Sequence, residues 1–169
     1  EKGISLPPVE IFPGSPFYAV KRLREQKEIK KAKLPQQKID AYLGLALKHY
    51  SEVRSMVILG RPTSDIVVSI EGIKSGFKKI NAILDEERYL LYDYSVRRRV
   101  TAYANFIRKN FRSHMLNQEF LRDYRDVSPQ IIDILWEIQQ VSQRFAMLES
   151  YPNETAFYLE SNTLLSGSN

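Results

Sequence analysis

The chain has 169 residues, 43% of them hydrophobic, with no cysteine, two histidines and a formal net charge of +5. That length suits one ordinary domain with a real core, and the apolar share argues against disorder. The absence of cysteine excludes disulfides, thiolate metal sites and cysteine nucleophiles. His49 and His114 stand too far apart for a common zinc motif, and no apolar run approaches the roughly 18–20 residues of a membrane-spanning helix.

Apolar positions recur with a period near 3.6, and no run of strict alternation interrupts them. The expected fold is all-α: a helical hairpin extended into an antiparallel bundle of about five helices over residues 1–152, with a loosely ordered tail at 153–169. Ser15-Pro16 reads as an N-cap and first helical residue, opening a helix from about Pro16 to Lys33. In it Phe17, Val20 and Leu23 are expected to bury against the second helix, while Tyr18 packs its ring with its hydroxyl wet or hydrogen-bonded.

Leu34-Pro35 ends that helix and opens the next, because a residue before proline is driven from the α region. Ile39, Tyr42, Leu43, Ala46, Tyr50, Val53 and Val57 then form one stripe, stopped at Gly60 and Pro62. A third helix, capped by Thr63 or Ser64, carries Ile66, Ile70, Ile73, Phe77, Ile80 and Leu84 on one face. Beside that face Ser69, Gly72 and Gly76 form a strip that admits a close helix or serves as a hinge.

Asp85 to Tyr94 either bends or continues the helix, and a bend is expected. One helix from Thr63 to His114 would far exceed the usual length of about 10–14 residues. The fourth helix spans about Ser95–His114, with Val96, Val100, Tyr103, Ala104, Ile107 and Phe111 inward. Ser128-Pro129 starts a fifth, with Ile131, Ile134, Leu135, Ile138, Val141, Phe145 and Leu148 inward and Trp136 packed at the margin. It ends near Tyr151-Pro152, ahead of a short turn around Phe157 to Leu159.

Catalytic signatures are absent from this pattern. The glycines of Gly72-Ile73-Lys74-Ser75-Gly76 sit in a predicted helix without the strand that a phosphate loop requires. Glu25 and Glu28, like Glu86 and Glu87, lie among basic residues and read as solvated ion pairs, while His49 and His114 read as structural or exposed. No catalytic residue, metal site or cofactor is expected, and the chain reads as non-enzymatic.

Charge is the more informative feature. Residues 1–84 hold 15 Lys/Arg against 8 Asp/Glu, and residues 85–169 hold 10 against 12. On the fourth helix Arg97, Arg98, Arg108, Lys109 and Arg112 fall within an arc of about 120°, with no acid between Arg97 and Arg112. Lys27, Lys30, Lys31 and Lys33 form a second basic patch on the thinly anchored end of the first helix.

Three readings compete for the stripe: solvation with pairing to the acidic blocks at Asp85–Asp93 and Glu119–Glu137, an anionic surface or acidic protein partner, and nucleic acid. Nucleic acid is disfavoured by the lack of a helix-turn-helix, zinc-finger or aromatic strand-binding motif.

The string Pro13-Gly14-Ser15-Pro16-Phe17-Tyr18-Ala19-Val20-Lys21-Arg22 resembles the start of an uncharacterised bacterial helical-hairpin family, a domain of unknown function in extracytoplasmic parts of secreted or membrane-anchored proteins. The family's second helix has a counterpart in Leu45-Ala46-Leu47-Lys48-His49-Tyr50-Ser51-Glu52, and the similarity spans about residues 12–59. Leu34-Pro35 replaces its Asp-Pro linker, and Lys48-His49 replaces an arginine pair. The resemblance implies a non-enzymatic, extracytoplasmic module of the cell envelope, with a leader or anchor expected upstream of Glu1. It supplies no ligand residue.

Overall fold

Proline, glycine and one aspartate set the helix ends, and apolar period sets what lies between them. A computed structural model describes residues 4–115 and 118–150. Its helices are α1 (Tyr18–Lys31), α2 (Pro35–Ile58), α3 (Thr63–Glu86), α4 (Tyr94–His114), α5 (Gln118–Asp123) and α6 (Ser128–Ser150), with 3-10 turns at Arg88–Leu91 and Arg125–Val127. No strand occurs among the described residues, so the all-α class stands. The expected tail at 153–169, with its turn around Phe157, lies outside the described residues.

Pro35 occupies the first turn of α2 after an extended Leu34, as anticipated. The Gln37 side chain also accepts from the backbone N–H groups of Lys33 and Leu34, at 3.1 and 3.3 Å. At the other end Gly60 takes φ +61°, the left-handed conformation that costs glycine nothing. Its N–H reaches Val57 O, and Arg61 N–H reaches Met56 O, which completes a Schellman stop.

Asp85 to Tyr94 does bend. α3 ends at Glu86, and Leu90, fully buried, anchors the 3-10 turn beyond it. Asp93 then caps α4 by accepting from Ser95 N–H at 2.8 Å and Val96 N–H at 3.1 Å. Asp93→Ala is expected to cost about 1 kcal/mol in urea unfolding, with the slope against urea unchanged. Retained stability would show that the cap contributes nothing.

The core is built from the predicted faces of α2, α3, α4 and α6. Ile66, Ile70, Ile73, Phe77, Ile80 and Leu84 are all fully buried, each side chain contributing about 1.5–3 kcal/mol by leaving water. From α2 come Ile39, Leu43, Ala46, Tyr50 and Val53; from α4, Val96, Val100, Ala104, Ile107 and Phe111; from α6, Ile131, Ile134, Ile138, Val141 and Phe145. Tyr42, Val57, Tyr103 and Leu135 pack at its margin. Leu148 lies outside the described side chains.

Cross-helix pairs reveal direction. Ser69 meets Glu52, and Gly72 lies against His49 and Gly76 against Ala46, so α3 runs antiparallel to α2. Tyr18 with Glu52 and Glu25 with His49 set α1 antiparallel to α2 as well, giving the expected hairpin. By contrast Lys74–Asp133, Asn81–Glu137 and Asp85–Arg144 rise together, so α3 and α6 are parallel. Asp40–Arg99 and Tyr50–Phe111 make α2 and α4 parallel too. The bundle is a ring in the order α2, α3, α6, α4, with α1 laid on α2. The 3-10 turn carries the chain across the bundle end from α3 to its diagonal neighbour α4.

Two packing expectations are corrected. Trp136 is 57% exposed, because it lies two residues from both Ile134 and Ile138 and so about 200° around the helix from each. Phe17, Val20 and Leu23 are 68%, 48% and 59% exposed rather than buried. The helix also starts at Tyr18, not Pro16. Ser15 and Pro16 belong to a preceding turn, in which Tyr18 N–H reaches Ser15 O at 3.0 Å and Phe17 N–H reaches Ser15 Oγ at 3.3 Å. The face of α1 turned inward is Tyr18, Lys21, Arg22, Glu25 and Ile29, because the part of α2 and α3 beneath it offers charged and hydroxyl partners.

Candidate functional site

Two places in the fold gather polar chemistry. The first is the junction of α1, α2 and α3. Glu52, 1% exposed, sits in the middle of α2 and cannot be left alone there, since a buried carboxylate without partners is costly. Its Oε2 accepts from Ser69 Oγ at 2.5 Å, from His49 Nδ1 at 3.0 Å and from Tyr18 OH at 3.3 Å. Its Oε1 meets the Lys21 ammonium. Lys21 also donates to Ile11 O at 3.4 Å, and Ser51 Oγ to Pro7 O at 2.6 Å, which ties the N-terminal segment over this side of the junction.

His49 is 1% exposed, and its Nδ1–H points at Glu52. Its other edge lies over Gly72, where a Cβ would stand 2.6 Å from Nε2. Only glycine leaves room for the ring. Burial, aided by the positive potential of Lys21, Arg22 and Lys48, pushes its pKa down to about 3, so the ring is neutral at pH 7. Burial outweighs the two flanking carboxylates in this balance. Burial likewise raises Tyr18, against hydrogen bonding from Ser69 and Arg22, and lowers Lys21, against the attraction of Glu25.

Glu25 completes the cluster and overturns its reading as a surface carboxylate. It is 8% exposed, with Lys21 Nζ 3.7 Å and His49 Nε2 3.9 Å away. Glu28, one turn on, does lie at the surface and pairs with Lys31 at 2.7 Å. Glu25, His49 and Gly72 line a groove of about 660 Å³ between the three helices, walled by Ile29, Tyr42, Leu45 and Val67.

Periodicity passed over this cluster because its members come from three helices, and each alone resembles a surface residue. The one available signal was the glycine at Gly72 beside an otherwise clean apolar face. Among the described residues no group of His, Asp and Glu has the geometry of a metal site.

The second place is α4. Arg98, Lys109 and Arg112 are exposed, and Arg97 and Arg108 are half-buried. Arg97 stacks over the Tyr94 ring at 5.7 Å, and Arg108 donates to Asn105 Oδ1 at 2.7 Å. Arg108, Lys109 and Arg112 share a shallow concavity of about 530 Å³ with Asn105 and Ser113.

The stripe therefore divides, its last three cations converging and Arg97 standing nearer the start of the helix. Carboxylates from the acidic blocks are engaged elsewhere: Asp85 by Arg144, Asp133 by Lys74 and Glu137 by Asn81. Lys27, Lys30, Lys31 and Lys33 are all exposed at the far end of α1. No described helix is long and apolar enough to cross a membrane. No family model, curated protein or solved structure matches the sequence.

Proposed function

We propose that this chain is a non-enzymatic interaction module that engages an anionic surface or acidic protein through the basic face of α4. The observation that carries this reading is the concavity at Arg108, Lys109 and Arg112, which no carboxylate lines. Three cations around one depression attract phosphate or carboxylate groups, and guanidinium groups grip them bidentately. The exposed lysines of α1 add positive potential. An extracytoplasmic setting at the bacterial envelope is part of the proposal, supported by the resemblance carried on Pro13–Arg22.

Affinity for vesicles containing anionic phospholipid, or for polyglutamate, should fall steeply between about 50 and 300 mM salt. The combined substitutions Arg108→Glu, Lys109→Glu and Arg112→Glu should lower it at least about tenfold while leaving the helical signal intact. Salt-independent binding, or an unaffected triple variant, would remove α4 from the function. Tighter binding to duplex DNA than to either probe would favour the alternative of a cytoplasmic nucleic-acid-binding protein.

A further inference from the structure

The groove between α1, α2 and α3 contains an unsatisfied acceptor pair that the α4 reading does not use. We infer that it is a binding site for an alkyl primary ammonium group, a free amine or a lysine side chain, held between Glu25 and His49. Three observations converge on this.

First, Glu25 is more than nine-tenths buried, and its two oxygens are placed differently: Oε1 lies 3.7 Å from Lys21 Nζ, while Oε2 faces the His49 ring and no described hydrogen bond reaches it. A carboxylate oxygen on so buried a side chain is costly to leave without a donor, and an incoming donor relieves that cost. Second, His49 gives its Nδ1 proton to Glu52, which leaves Nε2 with a lone pair on the side of Glu25. Nε2 and Glu25 Oε2 are 3.9 Å apart, and two acceptors gain nothing from each other. One nitrogen carrying two N–H bonds fits between them at ordinary hydrogen-bond length from each.

Third, the ammonium already present is shared and lies on the Oε1 side. Lys21 is the ammonium that contacts both Glu25 and Glu52, and the ring between the carboxylates is neutral. Arg22 lies on the groove wall beside the Tyr18 hydroxyl, and neither Arg22 nor Lys79, farther along the wall, is ion-paired to Glu25 among the described contacts.

A cation with N–H bonds supplies charge and donors together, which neither a neutral alcohol nor a quaternary ammonium does. The rest of the groove sets the body of the ligand. Ile29, Tyr42, Leu45, Val67 and Val68 offer an apolar wall to a hydrocarbon stem.

The test is a titration of the ¹⁵N-labelled full chain at pH 7 with n-hexylammonium, n-hexanol, hexyltrimethylammonium and doubly blocked lysine. Saturable shifts at Gly72, Glu25 and the His49 ring are expected with hexylammonium. A blocked lysine that binds comparably assigns the site to a protein partner, and one that does not assigns it to a free amine.

Hexanol or the quaternary cation should bind at least about tenfold more weakly, and Glu25→Gln should reduce hexylammonium affinity by a similar factor. The His49 nitrogen shifts of the free wild type are read first and need no variant. A protonated Nε2 there at pH 7 would overturn the inference, as would equal binding of hexanol or no binding of either amine.

Discussion

Glu52→Ala is expected to lower stability by about 3–5 kcal/mol in urea unfolding, the usual cost of deleting one member of a buried ionic network. The loss does not come from apolar area. Truncation strands His49 Nδ1–H, the fully buried Ser69 hydroxyl, the Tyr18 hydroxyl and Lys21, all of which converge on this one carboxylate. Glu52→Gln, of similar shape, should recover part of the loss, because its amide oxygen still accepts from Ser69 and Tyr18. A Glu52→Ala chain within about 1 kcal/mol of wild type would show that water reaches and satisfies these groups.

The same cluster makes acid stability diagnostic. His49 is depressed from 6.5 to about 3 by burial, with Lys21 and Arg22 of α1 and Lys48 of α2 adding positive potential against Glu25 and Glu52. In the window between those values the unfolded chain binds a proton that the folded chain does not. Stability from the neutral ring is therefore complete above about pH 6.5 and is lost progressively as pH falls toward 3. Decline should begin above the range in which carboxylates titrate, and His49→Gln should flatten the pH 4–6.5 part of the curve.

Gly72→Ala has the second largest expected effect, about 3 kcal/mol of destabilisation. A Cβ at Gly72 would stand 2.5 Å from His49 Cδ2, and the ring cannot retreat because Glu52 holds its other edge. Either α2 and α3 separate or the His49–Glu52 hydrogen bond breaks. The two substitutions should accordingly be non-additive: His49→Ala combined with Gly72→Ala should cost less than the sum of the singles by at least about 1 kcal/mol. Gly44 is the control, since nothing lies within 4 Å of its added Cβ. Gly44→Ala should stabilise by about 0.5–1 kcal/mol through helix propensity alone. Equal effects at Gly72 and Gly44 would mean that the close approach is not a constraint.

Both experiments probe contacts between the strings Pro13–Arg22 and Leu45–Glu52. Tyr18 and Lys21 belong to the first, His49 and Glu52 to the second, and folding brings all four to one point. The tyrosine and lysine of the first string are there to serve the carboxylate. Phe17 and Val20, the most apolar residues around them, face outward.

Local signals determined the helices and most of the core. Proline, the left-handed glycine at Gly60 and the apolar periods of α2, α3, α4 and α6 are properties of short segments, and they placed those helices and their inward faces. The break after Glu86 was legible as well, because helix length itself disfavoured continuation.

The inward face of α1, the directions of the helices and the cluster around Glu52 were decided only by tertiary structure. A helix read alone ranks its faces by hydrophobicity, whereas burial of Glu25, Lys21 or His49 depends on partners on other helices. Lys21 and Glu52 are 31 residues apart and Ser69 lies 17 beyond. No periodicity within one helix contains that distance.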